Sequence, residues 1–348
     1  MTLHIFNPEH DLALAANLAN FTAPHAGRQL RTDLGYLPAL WAGADDCVLV
    51  EDVPFAERSF RRLMHHPFDR FVDRTQLVRL RTDAVEPWGW DLALRAYLIR
   101  QGIDASLLPS EQHIAQIRDL SHRRHAMNLL RTLQQPGTSG ESFLAGSVEA
   151  VLCQLAEWRH IVVKAPWSSS GRGVRFIDGE LTAQQTGWLV NTIQQQGGVM
   201  VEPYYPKVKD FGMEFESDGK GCVRYCGLSL FHTSNGAYTG NIVASESEKM
   251  EILSTYIPEE LIENVKQSIC RYLGTLYHHS YKGPLGVDMM ILPRQDKDGF
   301  LLHPCVEINL RRTMGHVALS LSEGDHFVPR VMSILYNENS YKLKLRHL

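Results

Sequence analysis

Val306-Glu307-Ile308-Asn309-Leu310-Arg311 alternates apolar and polar residues over six positions. On a strand, successive side chains point to opposite faces, so Glu307, Asn309 and Arg311 project from one face while Val306, Ile308 and Leu310 line the other. An acid, an amide and a guanidinium in a row are unusual for a core strand. Two explanations stand side by side here: a solvent-facing edge strand on which Arg311 balances Glu307, or a strand that presents ligands. Upstream, Gly286-Val287-Asp288-Met289-Met290 puts a further carboxylate on the preceding strand, where it can lie across from Glu307. Asp288, Glu307 and Asn309 all offer hard oxygen donors, the kind Mg²⁺ takes up while water and nucleotide phosphates fill its other positions. Arg311, one step further along that face, can reach a phosphoryl group in transfer.

A second stretch points the same way. Lys164-Ala165-Pro166-Trp167-Ser168-Ser169-Ser170-Gly171-Arg172-Gly173-Val174 follows the buried run Ile161-Val162-Val163. A lysine at a strand end, followed by hydroxyl residues and two glycines in a hairpin, lets backbone N–H groups close over phosphate oxygens while the ammonium supplies a point charge. By itself a Ser/Gly hairpin reads equally as an ordinary turn.

Around these stretches the periodicity changes repeatedly. The chain opens with an apolar strand at Leu3 to Phe6, then helix-start chemistry: Asn7 as cap, Pro8 in the first turn and Glu9 against the helix dipole. An amphipathic stretch at 27–41, a strand at 47–50 and a helix at 91–101 closed by Gly102 complete an α/β domain over residues 1–115, Rossmann-like in pattern. Its loops at strand ends, Asn7 to Asp11 and Pro87-Trp88-Gly89-Trp90, lie where such domains hold ligands, although capping and aromatic packing explain the same residues without one. Next come a helix from a Ser121 cap to Leu133 and a helix capped near Ser147. Strands at 161–164, 174–177 and 199–202 surround a helix at 183–196. Antiparallel strands fill 211–245 with a polar tip at 232–240, a helix begins at Pro258, strands cover 285–292 and 300–310, and one more helix precedes a polar, basic tail.

Composition bounds the class. Lys and Arg total 35 and Asp and Glu 39 over 348 residues, 35 − 39 = −4. A polybasic nucleic-acid arm and a solvating acidic tail are thereby excluded as main themes. With 44% hydrophobic and 21% charged residues, the chain is an ordinary globular one of two or three domains. No run nears the roughly 20 apolar residues of a membrane helix, and MTLHIFNPEHD lacks the basic-then-apolar order of a signal peptide, so a non-exported, cytoplasmic protein is expected. The six cysteines form no C-x-x-C pair and read as free thiols; Cys222 and Cys226, four apart, would share a face on one strand. The 16 histidines show no H-E-x-x-H, which leaves a His-dependent metal hydrolase without its ligands.

Taken jointly, Lys164 with Ser-Gly-Arg-Gly at 170–173, the strand end Val201-Glu202, Gly-Val-Asp at 286–288 and Glu-Ile-Asn-x-Arg at 307–311 resemble the ATP-grasp superfamily, which includes biotin carboxylase, carbamoyl phosphate synthetase and D-alanine:D-alanine ligase. The resemblance covers roughly residues 116–320. It implies an α/β fold with an α+β lid: an N-terminal pre-grasp domain at 1–115, a lid subdomain at 116–202 and a C-terminal ATP-grasp subdomain with the metal site at 203–348. It implies that Lys164 contacts phosphates, that Ser168, Ser169, Ser170, Gly171, Arg172 and Gly173 fold over the triphosphate, and that Glu202, Pro203, Tyr204 and Tyr205 form the adenine hinge. Pro203 has no N–H, so Tyr205 or its neighbour donates to the base. Asp210, with Glu214 as second choice, matches the ribose acid. Asp288, Glu307 and Asn309 fall on metal-ligand positions, and Arg311 on the arginine that steadies the phosphoryl intermediate. The basic residue at the head of the helix before the lid is Arg123 or Arg124. The charged insert 294–298 lengthens a hairpin.

Such an enzyme is a ligase that uses ATP and Mg²⁺, with Mn²⁺ as a substitute, to activate a carboxylate as an acyl phosphate and join it to an amine or similar nucleophile. Its partners are those two small molecules, with a homodimer allowed and neither nucleic acid nor membrane involved. Asn7, Glu9, His10, Tyr238 and Asn241 are the expected acceptor-site residues, and His316 a helix-start residue. The competing expectation is an ATP-binding regulatory protein of the same fold without turnover.

Overall fold

The structure, a computed structural model, describes residues 1–168, 173–234, 237–296, 298–322 and 328–347. Its first third runs β1 (Thr2–Ile5), α1 (His10–Ala16), α2 (His25–Leu34), β2 (Cys47–Leu49), α3 (Val53–Met64), β3 (Phe71–Val72), α4 (Arg74–Leu77), β4 (Ala84–Pro87), α5 (Leu92–Arg100) and α6 (Glu111–Leu120). The middle carries α7 (Arg124–Thr132), β5 (Phe143–Ala145), α8 (Val148–Trp158), β6 (His160–Lys164), β7 (Val174–Asp178), α9 (Ala183–Gln196) and β8 (Val199–Pro203). Then follow β9 (Lys209–Ser217), β10 (Val223–Ser234), β11 (Ala237–Val243), α10 (Glu246–Ser254), α11 (Glu259–Tyr277), β12 (Gly283–Pro293), β13 (Phe300–Asn309), α12 (Met314–Ser320), β14 (Arg330–Tyr336) and β15 (Tyr341–His347).

These elements form two units: residues 1–118 with 239–245 and 311–348, and residues 119–238 with 246–310. In the first unit β3-β2-β1-β4 is a parallel sheet. Leu3 and Ile5 join Leu94 and Leu98 of α5 in one core, while Phe6 and Val48 join Leu34 and Phe60 in another, so the sheet is covered on both faces as parallel sheets are. The expected Asn7 cap is not made: the cap position of α1 is Glu9, and Asn7 bonds instead to the loop after β4. The C-terminal segment also departs from its reading as a basic tail. Residues 330–347 form an antiparallel hairpin, and Tyr341, Leu343 and Leu345 pack with Met332 into the Leu34 core. Lys342, Lys344 and Arg346 alternate with those apolar residues, a strand pattern masked by its charge. Residues 311–348, assigned from sequence to the C-terminal subdomain, accordingly group with the N-terminal unit.

In the second unit β5-β8-β6-β7 is an antiparallel sheet whose Ile161, Val163, Val199 and Val201 pack against Val151, Leu155 and Leu189 of α8 and α9. The bounds of α9 follow from its ends: a Thr182/Gln185 capping box starts it and Gly197, at φ 81°, stops it. Before the lid, α7 starts at Arg124 with Arg123 in the cap position, two residues later than the Ser121 cap of the sequence reading. A second antiparallel sheet joins β13, β12, β9 and β10. α11 buries Ile262, Val265, Ile269 and Leu273, spaced for one helical face, and packs on β9 and β10. The insert after Pro293 closes the β12–β13 hairpin, with Arg294 N–H donating to Gly299 O at 3.0 Å. Cys226 sits where the β9–β10 register shifts and Cys222 precedes β10, so the two do not share a regular strand; all six cysteines are outside disulfides. Among the described residues no helix is long and apolar enough to cross a membrane.

Candidate nucleotide and metal site

The pleat of the β9–β12–β13 sheet sorts its polar residues onto one face. Asp288 pairs directly with Glu307 on one side and Gly212 on the other, and Gly286 pairs with Asn309 and Glu214. Asp210, Glu214, Asp288, Glu307 and Asn309 thus share the face opposite Phe211, Met213, Phe215 and Val287, which are fully buried. The Asn309 side-chain amide donates to Asp288 Oδ2 at 3.0 Å. Gly212 keeps the place open: a Cβ there would stand 3.3 Å from Asp288 Oδ1. Two carboxylates and an amide carbonyl at adjoining register positions are hard oxygen donors suited to Mg²⁺. Among the described residues no three His, Cys, Asp or Glu side chains come together as a metal-holding group.

Arg123 ties this face to the lid sheet. Its Nη2 donates to Glu307 Oε1 at 2.5 Å, and its Nη1 donates to Ala165 O at 2.5 Å and Ser168 Oγ at 2.9 Å. Its neighbour Arg124 pairs with Asp119 instead. Of the two arginines left open by the sequence, Arg123 is the one directed at the acidic face.

On β6, Ile161 and Val163 enter the lid core, so Lys164 falls on the other face, as does Glu202 on β8, where it sits opposite Val162. That diagonal relation brings Lys164 Nζ to 2.6 Å from Glu202 Oε2, with both side chains nine-tenths buried. Ser142 Oγ donates to the other oxygen of Glu202 at 3.4 Å. The loop after Lys164 is closed by Ala165 N–H donating to Gly173 O at 2.8 Å, and a Cβ on Gly173 would meet Ser168 at 2.3 Å. Ser169, Ser170, Gly171 and Arg172 lie outside the described residues.

Beyond Glu202, half-buried Pro203 ends β8, and Tyr204 N–H donates to His160 O at 2.9 Å. Tyr205 has its hydroxyl bonded by Glu141 N–H at 3.0 Å and its ring edge-on to His303 at 5.5 Å. Burial, with Glu141 next, raises the Tyr205 phenol well above its ordinary range. His303, missed by the sequence reading, is 1% exposed, and neither ring nitrogen has a hydrogen-bond partner. Burial and the charge of Lys164 bring its pKa down to about 3. Burial and the carboxylates of Asp288 and Glu202 keep the Cys305 thiol protonated. Asp210 takes a hydrogen bond from Thr233 Oγ1 at 2.7 Å and an ion pair from Lys207.

No protein-family model matches the chain, and no curated protein matches it in sequence. Solved structures do. N5-carboxyaminoimidazole synthetase from Staphylococcus aureus, complexed with ADP, superposes with a TM-score of 0.51 at 12% identity over 97% of this chain and 83% of that one. The biotin carboxylase domain of Hydrogenobacter thermophilus 2-oxoglutarate carboxylase, complexed with MgADP, ADP and bicarbonate, gives 0.52 at 13% identity over 96% and 74%. An Archaeoglobus fulgidus protein described as of the ATP-grasp superfamily gives 0.50 at 13% over 100% and 99%. The fold is ATP-grasp. The α/β class and the fold inferred from the four motifs therefore hold, and within the ATP-grasp fold Lys164, Glu202, Arg123, Ser168, Asp288, Glu307 and Asn309 are gathered in one unit.

Arg311 belongs to the first unit, where its Nε and Nη2 donate to Asp11 at 3.0 and 2.8 Å. Asn7, Glu9 and His10 are buried in the same unit, at the end of β1. Asn241 has no exposed surface and is an interior residue of β11, opposite Met332. Tyr238 is half-buried, its phenol raised by burial and then by Glu214. Glu214 is itself buried within the sheet, which makes Asp210 the more accessible of the two acids named for the ribose. His316 closes a capping box with Thr313 at the start of α12, a structural role.

Proposed function

We propose that this protein is an ATP- and Mg²⁺-dependent ligase that activates a carboxylate as an acyl phosphate and joins it to an amine or similar nucleophile, releasing ADP and phosphate. The observation that carries the reading is the register Asp288↔Glu307 with Asn309 on the same face, facing Arg123 and the lid. Three hard donors without a closed cage are what a metal shared with nucleotide phosphates needs; Asp288, Glu307 and Asn309 would hold it, and it would neutralise charge on the phosphates. Lys164 and Arg123 are the cations for the phosphates, with Ser168 and Gly173 beside them. Glu202, Pro203, Tyr204 and Tyr205 would read adenine. Tyr204 N–H is committed to His160 O, so Tyr205 N–H is the donor to the base. Asp210 would hold the ribose.

In this reading the protein supplies position and charge rather than a covalent nucleophile. Arg123, paired here with Glu307, would offer a phosphate oxygen charge-assisted bonds of the bidentate kind that phosphate accepts. Arg311 would steady the transferring phosphoryl group. Asn7, Glu9 and His10 belong to the acceptor side.

A screen of ADP release with MgATP against a matrix of carboxylates and amines tests this. We expect release that requires one carboxylate and one nucleophile together. ATP binding with no release across a broad matrix would instead favour a regulatory protein of the same fold.

A further inference from the structure

Arg123 stands at the head of α7, is 8% exposed, and has both terminal nitrogens engaged within the second unit. Nη1 donates to Ala165 O and Ser168 Oγ at the base of the loop after β6, and Nη2 donates to Glu307 Oε1 on β13. Ser168 O lies 3.5 Å from Nη2 as well. One guanidinium thus bridges the segment that follows Lys164 and a carboxylate of the acidic face.

The pairing leaves the guanidinium incompletely satisfied. An arginine fork is shaped to give two parallel N–H···O bonds to a carboxylate or a phosphate. Glu307 takes one bond, through a single oxygen, and the Nε–H of Arg123 is buried with no hydrogen-bond partner. A buried donor left unsatisfied carries the full cost of its desolvation. Two phosphate oxygens brought to the Nε and Nη2 edge would satisfy that donor, so a phosphate serves the guanidinium better than its present partner does. Glu307 is committed from its own side. Its Oε1 has a fixed positive charge 2.5 Å away, and a second cation on the same carboxylate is opposed by charge repulsion at such a distance. Asp288, its cross-strand partner, has Oδ2 engaged by the Asn309 amide. Side chains of the protein itself therefore hold the oxygen donors of the acidic face.

We propose that Arg123 is an internal counter-cation that closes the Glu307 position in the nucleotide-free protein, and that nucleotide phosphates open it by drawing the guanidinium onto their oxygens. Glu307 and a phosphate compete for one fork, and the phosphate fills it more completely. Phosphate also brings the negative charge that lets Arg123 and a divalent cation stand side by side, which Glu307 alone does not supply. Cation binding at Asp288 and Glu307 is thereby conditional on nucleotide, and by linkage each strengthens the other. The inference rests on the nucleotide- and metal-site reading given above and adds a regulation to it.

Mn²⁺ titrated into the full chain without nucleotide tests this, with free Mn²⁺ read by its electron paramagnetic resonance signal. The wild type should bind Mn²⁺ weakly and Arg123→Gln at least tenfold more tightly, and Glu307→Gln added to Arg123→Gln should erase the gain. A residue that only contacted phosphate, or only held the loop, would leave Mn²⁺ affinity unchanged on substitution. Arg123→Met, close in length and uncharged, carries the test should Arg123→Gln fail to fold. A wild type that binds Mn²⁺ as tightly as the folded Arg123 variant, or a gain that survives Glu307→Gln, would overturn the proposal. MgATP binding by the wild type, measured separately by calorimetry, keeps the two readings apart. Its absence would sink the ligase reading, whereas MgATP bound by a wild type whose Arg123 variants gain no Mn²⁺ would sink this inference alone.

Discussion

His303 is a buried imidazole with two unpartnered nitrogens, and its depressed pKa has a consequence for stability. Below its ordinary value of 6.5 the unfolded chain takes up a proton that the folded one refuses until about pH 3. The neutral ring's contribution is therefore fully present above pH 6.5 and is eroded as the pH falls toward 3, by at most about 1.4 kcal/mol per pH unit. Urea unfolding at pH 7, 6 and 5 should show that slope in the wild type and a shallower one in His303→Leu; parallel curves would place the acid sensitivity elsewhere. Nothing in the sequence marks His303, since a histidine in His303-Pro304-Cys305 reads as well on a surface. The ligand-type residues of the neighbouring stretch were legible because alternation fixes their face, and Asp288 lies across from Glu307 as that alternation requires. The pairing of Arg311 with Asp11 links residues 300 apart and leaves no local signal.

Two helices whose ends carry their own chemistry were legible in the sequence. α9 begins after the Thr182 box and stops at Gly197, and α8 begins after Ser147, which accepts from Ala150 N–H at 3.2 Å. Elements defined by distant partners were not. β14 and β15 are held by each other, by β11 and by the Leu34 core, and the lysines of β15 hid its period of two. Met332 is completely buried there. Met332→Ala should lower unfolding free energy by about 2–5 kcal/mol, the usual range for such a core truncation, whereas a solvated tail would give almost none. Chemical denaturation of the full chain reads the difference directly.

At the scale of the whole chain, three consecutive blocks were expected and two interleaved units are found. Sequence order cannot show that residues 239–245 and 311–348 return to the N-terminal sheet unit, because the contacts responsible, such as Tyr341 N–H to Asp33 Oδ2 at 2.7 Å, join opposite ends of the chain. The net charge of −4 conceals this division of labour: one unit gathers Lys164 and Arg123 about Glu202, Asp288 and Glu307, and the other buries Glu9 beside Arg31 and Asp91 beside His10. The decisive measurement is ADP release titrated with Mg²⁺ for the wild type, Asp288→Asn and Glu307→Gln, with near-UV circular dichroism to confirm that the variants are folded. Ligase chemistry at this site predicts Mg²⁺-dependent release in the wild type and its loss in both folded variants; release close to wild type in either one would contradict the metal site.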